Sequence, residues 1–206
     1  MCMITIDSLC FNLEDRCVFK DIMVTFLSSA IVLLQGKNGS GKTSLLRMLA
    51  RIQYPSSGQV LFGTKQQPIS LLSKPYCTYI GHNIGVRNEL TVLDNIKYWA
   101  NIFRSETLIG AAIQYFNLHS ILDTKCSHLS EGNKKRVALS RLIVCPSKLW
   151  LLDEIDTNLD DLNKELLMRL IVTHADNGGL VFLASHTEPP IKTIQTLDLN
   201  HYCFNK

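Results

Sequence analysis

The chain has 206 residues, of which 46% are hydrophobic and 19% charged, and its formal net charge is +3. This length suits one sizeable domain with a core of its own, and the composition excludes a disordered chain. The weak positive charge, with no long run of Lys or Arg, gives no indication of a nucleic-acid partner.

Cysteine usage and apolar runs limit the setting of the protein. Its seven cysteines are scattered at positions 2, 10, 17, 77, 126, 145 and 203, with no C-x-x-C pair. This odd, dispersed set predicts buried reduced thiols in a reducing compartment rather than disulfides or a zinc site. No basic region followed by an apolar stretch opens the chain, so no signal peptide is expected. Apolar runs stay far below the roughly 20 residues of a spanning helix, so transport would require a separate membrane partner.

The first part of the chain reads as strands around one helix. Predicted strands cover residues 4–9, 22–27, 30–34, 60–62 and 79–81, and a polar hairpin covers 11–18. The run 30–34 (AIVLL) is continuously apolar, which is typical of a strand buried on both faces of a sheet. A helix follows at about 43–50, and the turn signals of Tyr54–Gly58 end it.

The second part is helical before it returns to strands. From about residue 91 to 145 the pattern is helical, with Thr91 as a predicted N-cap and Ser130 capping a later helix that runs on to Ile143. Buried strands are then predicted at 148–153 and 180–184, with a helix between them. This order predicts one α/β core with a helical insertion at about 82–145.

The most specific motif follows the strand 30–34. Residues 36–43 match the phosphate-binding pattern G-x-x-x-x-G-K-[ST] and lie between a predicted strand and a predicted helix. Its glycines allow a tight turn that aims N–H groups at phosphate oxygens, and the helix N-terminus adds a positive end. Lys42 would reach the outer phosphates, and the Thr43 hydroxyl would face Mg²⁺. The predicted nucleotide-binding residues are Gly36, Lys37, Asn38, Gly39, Ser40, Gly41, Lys42, Thr43 and Ser44.

Two acids end the second buried strand. Asp153 would lie beside the phosphate loop and bind Mg²⁺ through its water shell, and Glu154 would polarise an attacking water. Alone, such a pair often only caps the next helix. Together with the upstream loop, it predicts nucleoside triphosphate hydrolysis with ATP and Mg²⁺.

A third motif indicates the family. Residues 129–133 (L-S-E-G-N) resemble the L-S-G-G-Q signature of ABC ATPases, with Glu131 and Asn133 as departures. The hydroxyl of Ser130 and the amide of Gly132 at a helix start form a second anion site. In that family this site meets the γ-phosphate bound by the opposite subunit, so the resemblance implies a homodimer. Glu131 would weaken closure unless its carboxylate points away from the triphosphate.

The resemblance covers essentially the whole chain and implies a fold. It implies a P-loop NTPase (RecA-like) α/β core with an ABC-type antiparallel β subdomain and an inserted α-helical subdomain. The core would comprise residues 1–81 and 146–206, and the helical subdomain with the signature would comprise about 82–145, all within a single ABC ATPase domain at 1–206.

Further roles are implied residue by residue. Asp160 falls in the turn that crosses the dimer in that family, and His186 falls at its γ-phosphate-sensing histidine. His82 replaces the usual glutamine of the Q-loop, where it could still ligate metal-bound water. Phe11, with Phe19 behind it, is the candidate for stacking on adenine, although ordinary packing explains either residue equally well.

One branch of the family shares the peculiarities of this chain. Residues 81–96 (GHNIGVRNELTVLDNI) resemble the corresponding stretch of the cytochrome c maturation ATPases, the haem-exporter ATP-binding subunits. That resemblance implies a CcmB-like multispanning permease and other cytochrome c maturation proteins as partners. It also implies a peripheral position on the cytoplasmic face of the bacterial inner membrane. Nothing in the composition itself indicates haem.

Other functions remain open at this stage. The chain could serve another importer or exporter, or be a soluble ABC ATPase of translation or DNA repair, although those usually carry two cassettes or a coiled coil. A small-metabolite kinase would leave residues 129–133 and His186 unexplained. An inactive regulatory cassette has only Glu131 and His82 in its favour.

Overall fold

The elements follow the predicted alternation of strands and helices. The structure, a computed structural model, describes residues 3–63, 67–68, 76–157, 159–185 and 189–203, with only the backbone at 67–68. Its strands are β1 (Met3–Leu13), β2 (Arg16–Leu27), β3 (Ile31–Gln35), β4 (Ser57–Phe62), β5 (Gln67–Pro68), β6 (Cys77–Ile80), β7 (Leu149–Asp153), β8 (Leu180–Ala184) and β9 (Ile194–Asp198). Its α-helices are α1 (Lys42–Leu49), α2 (Val92–Phe103), α3 (Ile109–Tyr115), α4 (Glu131–Leu139), α5 (Arg141–Val144) and α6 (Asp161–Asp176). Short 3₁₀ turns cover Glu106–Leu108, His119–Ile121, Cys126–His128 and Leu199–Tyr202.

A parallel sheet forms the centre of the molecule. Its described strands lie in the order β6-β7-β8-β3-β9, and all neighbours pair in parallel. Every residue of β7 and β8 is buried, which explains their continuous apolar sequences. The β9 strand was not predicted, because its sequence IQTLD is half polar and lies at the sheet edge. Because the strands are parallel, the carboxyl ends of β3 and β7 lie on the same side of the sheet. The phosphate loop follows β3 there, and the two acids lie at the end of β7.

A second, antiparallel sheet has the order β2-β1-β4-β5. The predicted hairpin is present, and β1 pairs with β2 from Met3↔Leu27 to Leu13↔Arg16. Glu14 adopts a left-handed φ of 52° in its turn. With the parallel sheet and the helices between β6 and β7, this sheet confirms the predicted fold class.

Alternate residues of β3 separate two hydrophobic cores. Val32 and Leu34 pack in a core between the two sheets, whereas Ile31 and Leu33 pack in a core beneath the helices. This period of two is the geometry of a strand covered on both faces.

The helical part between β6 and β7 begins as predicted. The Thr91 hydroxyl caps α2 by accepting a hydrogen bond from the Asp94 N–H at 3.1 Å. The predicted helix from Ser130 to Ile143 is divided into α4 and α5 at Ser140, whose hydroxyl donates to the Val137 carbonyl at 2.6 Å. Such local hydrogen bonds to the backbone often bend a helix at serine.

The described part of the chain also bears on the cysteine and membrane predictions. Its six cysteines, all but Cys2, have free thiols. None of its helices combines the length and apolar character required to cross a bilayer.

One half-buried histidine predicts a pH-dependent stability. The His174 ring stacks on Trp150, with centroids 3.7 Å apart and planes 5° from parallel. Burial lowers the pKa of His174 from 6.5 to about 4, although a backbone hydrogen bond with Lys148 acts in the opposite direction. The unfolded chain therefore takes up this proton first as the pH falls, so the contribution of His174 to stability is complete above pH 6.5 and is lost towards pH 4.

We expect titration of His174 to lower the free energy of unfolding by about 2 kcal/mol between pH 7 and pH 5, measured by urea unfolding. His174→Phe, which keeps a stacked ring without a titrating group, should remove that part of the pH dependence. His119→Phe, at an exposed histidine, should retain it. Equal slopes for wild type and His174→Phe would contradict this assignment.

Candidate functional site

The loop between β3 and α1 has the conformation that its glycines predict. Gly36, Gly39 and Gly41 all adopt positive φ, at 145°, 80° and 96°. A Cβ on Gly41 would lie 2.7 Å from the Phe19 ring and 2.9 Å from Val18, so a side chain is excluded there. Gly41 then precedes α1, whose first N–H groups have no acceptor within the helix and face the loop.

Lys42 is held inside this loop. Its side chain is buried, and Nζ donates to the carbonyl oxygens of Gly36 at 2.7 Å and of Lys37 at 3.3 Å. The loop is fixed from the other side because the Lys37 N–H donates to Asn200 Oδ1 at 3.1 Å. The ammonium group is therefore held against the loop backbone at the N-terminus of α1, which is a geometry suited to binding an anion.

Thr43 and Asp153 meet although 110 residues separate them. The Thr43 hydroxyl donates to Asp153 Oδ1 at 3.2 Å, and the Tyr79 hydroxyl donates to Oδ2 at 3.5 Å. Burial raises the pKa of Asp153, and the Thr43 hydrogen bond opposes this shift. A hydroxyl and a buried carboxylate at one strand end are hard oxygen donors, so this pair fits Mg²⁺.

Glu154 follows β7 in a left-handed conformation. Its φ is 53°, and its N–H donates to the Ala184 carbonyl at the end of β8 at 2.9 Å. The turn is closed by Thr157, whose hydroxyl donates to the Glu154 carbonyl at 2.9 Å. This turn aims Glu154 into the same cleft as the phosphate loop.

That cleft has a volume of about 580 Å³. It is lined by Phe11, Leu13, Arg16, Val18, Asn38, Gly39, Gly41, Lys42, Thr43, Ser44, Arg47, Gln53 and Glu154. A larger groove of about 650 Å³ lies between α6 and residues 189–191, but it has no part of the phosphate loop in its lining. The residues that line the smaller cleft, rather than its volume, therefore identify it as the candidate site.

Phe11 reaches the cleft but offers little surface for stacking. Its side chain is only 6% exposed, and its ring packs on Phe19 with centroids 5.9 Å apart. Leu13 and Arg16, which also line the cleft, are exposed. Sequence reasoning did not select Arg16 or Arg47, because their place in the cleft depends on how the hairpin and α1 pack.

The segment 129–133 caps a helix, as predicted. Ser130 is the N-cap of α4, and its hydroxyl accepts from the Asn133 N–H at 3.3 Å. The exposed Glu131 carboxylate bonds to Lys134 Nζ at 2.9 Å, so it points along its own helix. Ser130 and Gly132 do not line the cleft described above.

The comparisons with known proteins decide the family. The ABC transporter family model matches residues 19–157. The cytochrome c biogenesis ATP-binding export protein CcmA of Rickettsia bellii (strain RML369-C) is 50% identical over 197 residues, which cover 96% of this chain and 100% of that protein. The chain belongs to the ABC transporter family. It is an ATP-binding, ATP-hydrolysing subunit.

Solved structures agree with the fold of this ABC ATPase. An ABC transporter ATP-binding protein from Pyrococcus furiosus superposes with a TM-score of 0.82 over 98% of this chain and 100% of that chain, at 22% identity. A dimeric ATP-binding cassette bound to ADP and Pi superposes with a TM-score of 0.76 over 89% and 88% of the two chains, at 17% identity.

The remaining predicted site residues of this ABC ATPase lie in three places. His82 is exposed on the loop after β6, beyond the edge where β6 and β7 end side by side. Asp160 caps α6, because Oδ1 accepts from the Asn163 N–H and side-chain amide, each at 2.8 Å, and these bonds lower its pKa. His186 lies outside the described residues.

Proposed function

We propose that this ABC ATPase energises a haem-export complex that serves cytochrome c assembly. The observation that carries this proposal is the 50% identity to CcmA of Rickettsia bellii over nearly the full length of both chains. A second Rickettsia CcmA, from Rickettsia typhi, matches equally over 97% of this chain. Service to another importer or exporter, or a soluble role, is the alternative.

At the site, we propose a division of labour among this chain's residues. Lys42 and the N–H groups of the loop bind the β- and γ-phosphates, with Gly36, Lys37, Asn38, Gly39, Ser40, Gly41, Thr43 and Ser44 completing the loop. Thr43 and Asp153 hold Mg²⁺, which neutralises charge on the phosphates when it is bound. Glu154 accepts the proton of the attacking water from its place on the cleft. Phe11 contributes packing near the adenine ring.

We propose that the working unit is a homodimer. Ser130 and Gly132 start a capped helix away from the cleft, which is consistent with their binding a nucleotide held by a second copy. Asp160, His82 and His186 then act at the dimer and γ-phosphate positions that the family resemblance implies. We also propose that residues 82 to about 145 form the helical subdomain of each copy, and that the rest of the chain forms its nucleotide-binding core.

A groove beside α2 supports a membrane partner. It has a volume of about 430 Å³, and its lining includes Tyr76, Tyr79, Trp99, Phe103 and Arg141. The buried Arg141 guanidinium lies 4.8 Å from the Trp99 ring centroid, and burial lowers its pKa to about 10. Among the described residues, no carboxylate pairs with it. An apolar segment of a CcmB-like permease that carries an acidic side chain would satisfy this groove, which would give the ATPase a peripheral position at the inner membrane.

Complementation tests the proposal. In a bacterial host that lacks its own CcmA, the chain expressed with its cognate permease should restore c-type cytochromes, measured by haem staining of membrane proteins. Affinity purification of the chain should recover that permease, identified by mass spectrometry. Active ATPase that restores no cytochrome c and recovers no CcmB-like protein would favour another transporter or a soluble role.

A further inference from the structure

The turn that carries Glu154 requires support from its neighbours. A glutamate with a φ of 53° lies in the left-handed region, which costs energy for any residue with a side chain. Such a conformation persists only when the surrounding structure enforces it. Here the Ala184 carbonyl accepts from the Glu154 N–H at 2.9 Å, and the Thr157 hydroxyl donates to the Glu154 carbonyl at 2.9 Å.

Thr157 is in turn fixed by a residue from the signature helix α4. Lys135 Nζ donates to the Thr157 hydroxyl at 2.6 Å and also to the Thr157 carbonyl oxygen. A continuous chain of hydrogen bonds therefore runs from Lys135 through the Thr157 hydroxyl to the backbone of Glu154. The ammonium group donates at one end of this chain, which makes the first bond charge-assisted and strong.

The other basic residues of this helix have different partners. Lys134 pairs with the exposed Glu131 carboxylate at 2.9 Å. Arg136 donates to the Phe116 carbonyl through Nε at 2.9 Å and to Asn133 Oδ1 at 2.9 Å. Among the described contacts of Lys134, Lys135 and Arg136, it is thus Lys135 that reaches the Glu154 turn.

We propose that Lys135 is a positioning residue for Glu154, which it holds in the left-handed turn through the hydroxyl of Thr157. The inference rests on the proposed role of Glu154 as the base. Lys135 contacts neither the cleft nor its phosphate loop, so it acts on the rate of the chemical step and not on nucleotide affinity.

This contact also connects two parts of the proposed dimer. The helix that carries Lys135 begins at Ser130 and Gly132, which are proposed to bind the nucleotide of the opposite copy. When that nucleotide draws the helix start towards it, Lys135 transmits the movement to the Glu154 turn of its own copy.

The test compares Lys135→Met with Lys135→Arg in the full chain or its complex. Lys135→Met should lower kcat by about 10- to 100-fold, the range expected when a reacting group is misplaced by about 1 Å. KM and the Kd for MgATP should stay within about twofold of wild type, because ground-state binding is untouched. Lys135→Arg, which keeps a cationic donor, should recover most of the lost kcat. Thr157→Val should lower kcat as Lys135→Met does, and the double variant should be no slower than the slower single variant.

Lys148→Met is the matched control, because Lys148 Nζ also donates to a backbone carbonyl, that of Asn177 at 3.1 Å, but far from the cleft. Its kcat should stay at the wild-type value. A normal kcat for Lys135→Met and Thr157→Val would overturn the inference, as would a rise in KM matching the fall in kcat. Loss of MgATP binding by Lys135→Met alone would also overturn it, because that indicates direct nucleotide contact. Glu154→Gln separates the two proposals: if that variant retains turnover, the proposed base is wrong, whereas if it is inactive and Lys135→Met is normal, only the present inference fails.

Discussion

Replacing Glu154 by Gln is expected to lower ATP turnover by at least about 100-fold, within the range that positioned general bases contribute. The amide keeps the size of the side chain and the left-handed turn, but it cannot accept a proton from the attacking water. ATP affinity should stay within about twofold, because Glu154 lies beside the phosphate loop without contributing to its N–H donors. The measurements are steady-state phosphate release and equilibrium binding of MgATP.

Dimerisation gives this variant a second readout. If hydrolysis reopens a closed homodimer, Glu154→Gln with MgATP should elute as a dimer in size-exclusion chromatography. Glu165→Gln serves as the control, because that exposed carboxylate on α6 pairs only with Arg169 among its described partners, at 2.6 Å. It should turn over ATP at the wild-type rate. A fully active Glu154→Gln enzyme would move the role of base to another group on the cleft.

Replacing Lys42 by Ala is expected to weaken ATP binding by about 100-fold, or about 3 kcal/mol, which is typical for removal of one partner of a buried charge pair. Lys42 bonds to the carbonyls of Gly36 and Lys37, so both oxygens lose the ammonium donor and the loop loses its central cation. Isothermal titration with MgATP measures the effect, and phosphate release should fall with it.

The control for that variant is Lys97→Ala, which removes an exposed lysine from α2. This variant changes the net charge by the same amount as Lys42→Ala but leaves the cleft intact. Its affinity for MgATP should therefore match wild type. Circular dichroism and thermal unfolding of Lys42→Ala should resemble wild type. Unchanged ATP affinity in Lys42→Ala would mean that the nucleotide binds elsewhere on the chain.

Local patterns predicted most of the core of the molecule. The runs 30–34 and 149–152 become β3 and β7 because strands covered on both faces have no polar positions. The phosphate loop was predicted from its sequence because its conformation depends on glycines at fixed offsets. The edge strand β9 was missed, since a half-polar segment acquires its strand geometry from pairing with β3.

The finer features of the site depend on contacts between distant residues, which a single sequence does not contain. Phe11 was a candidate for stacking because it is aromatic and falls near the right place, yet packing on Phe19 leaves it 6% exposed. Lys134, Lys135 and Arg136 are consecutive basic residues of one helix, yet they bond to Glu131, to Thr157 and to the Phe116 carbonyl respectively, which their sequence does not reveal.

The contact of Gly41 with Phe19 has a consequence for how the two sheets cooperate. The phosphate loop packs directly on the Phe19 ring of the antiparallel sheet. That sheet therefore supports the conformation of the loop and also covers the core. Any shift of the hairpin relative to the parallel sheet would distort the anion cradle itself. A smaller side chain at position 19 would therefore disturb binding of the triphosphate before it disturbed binding of the adenine.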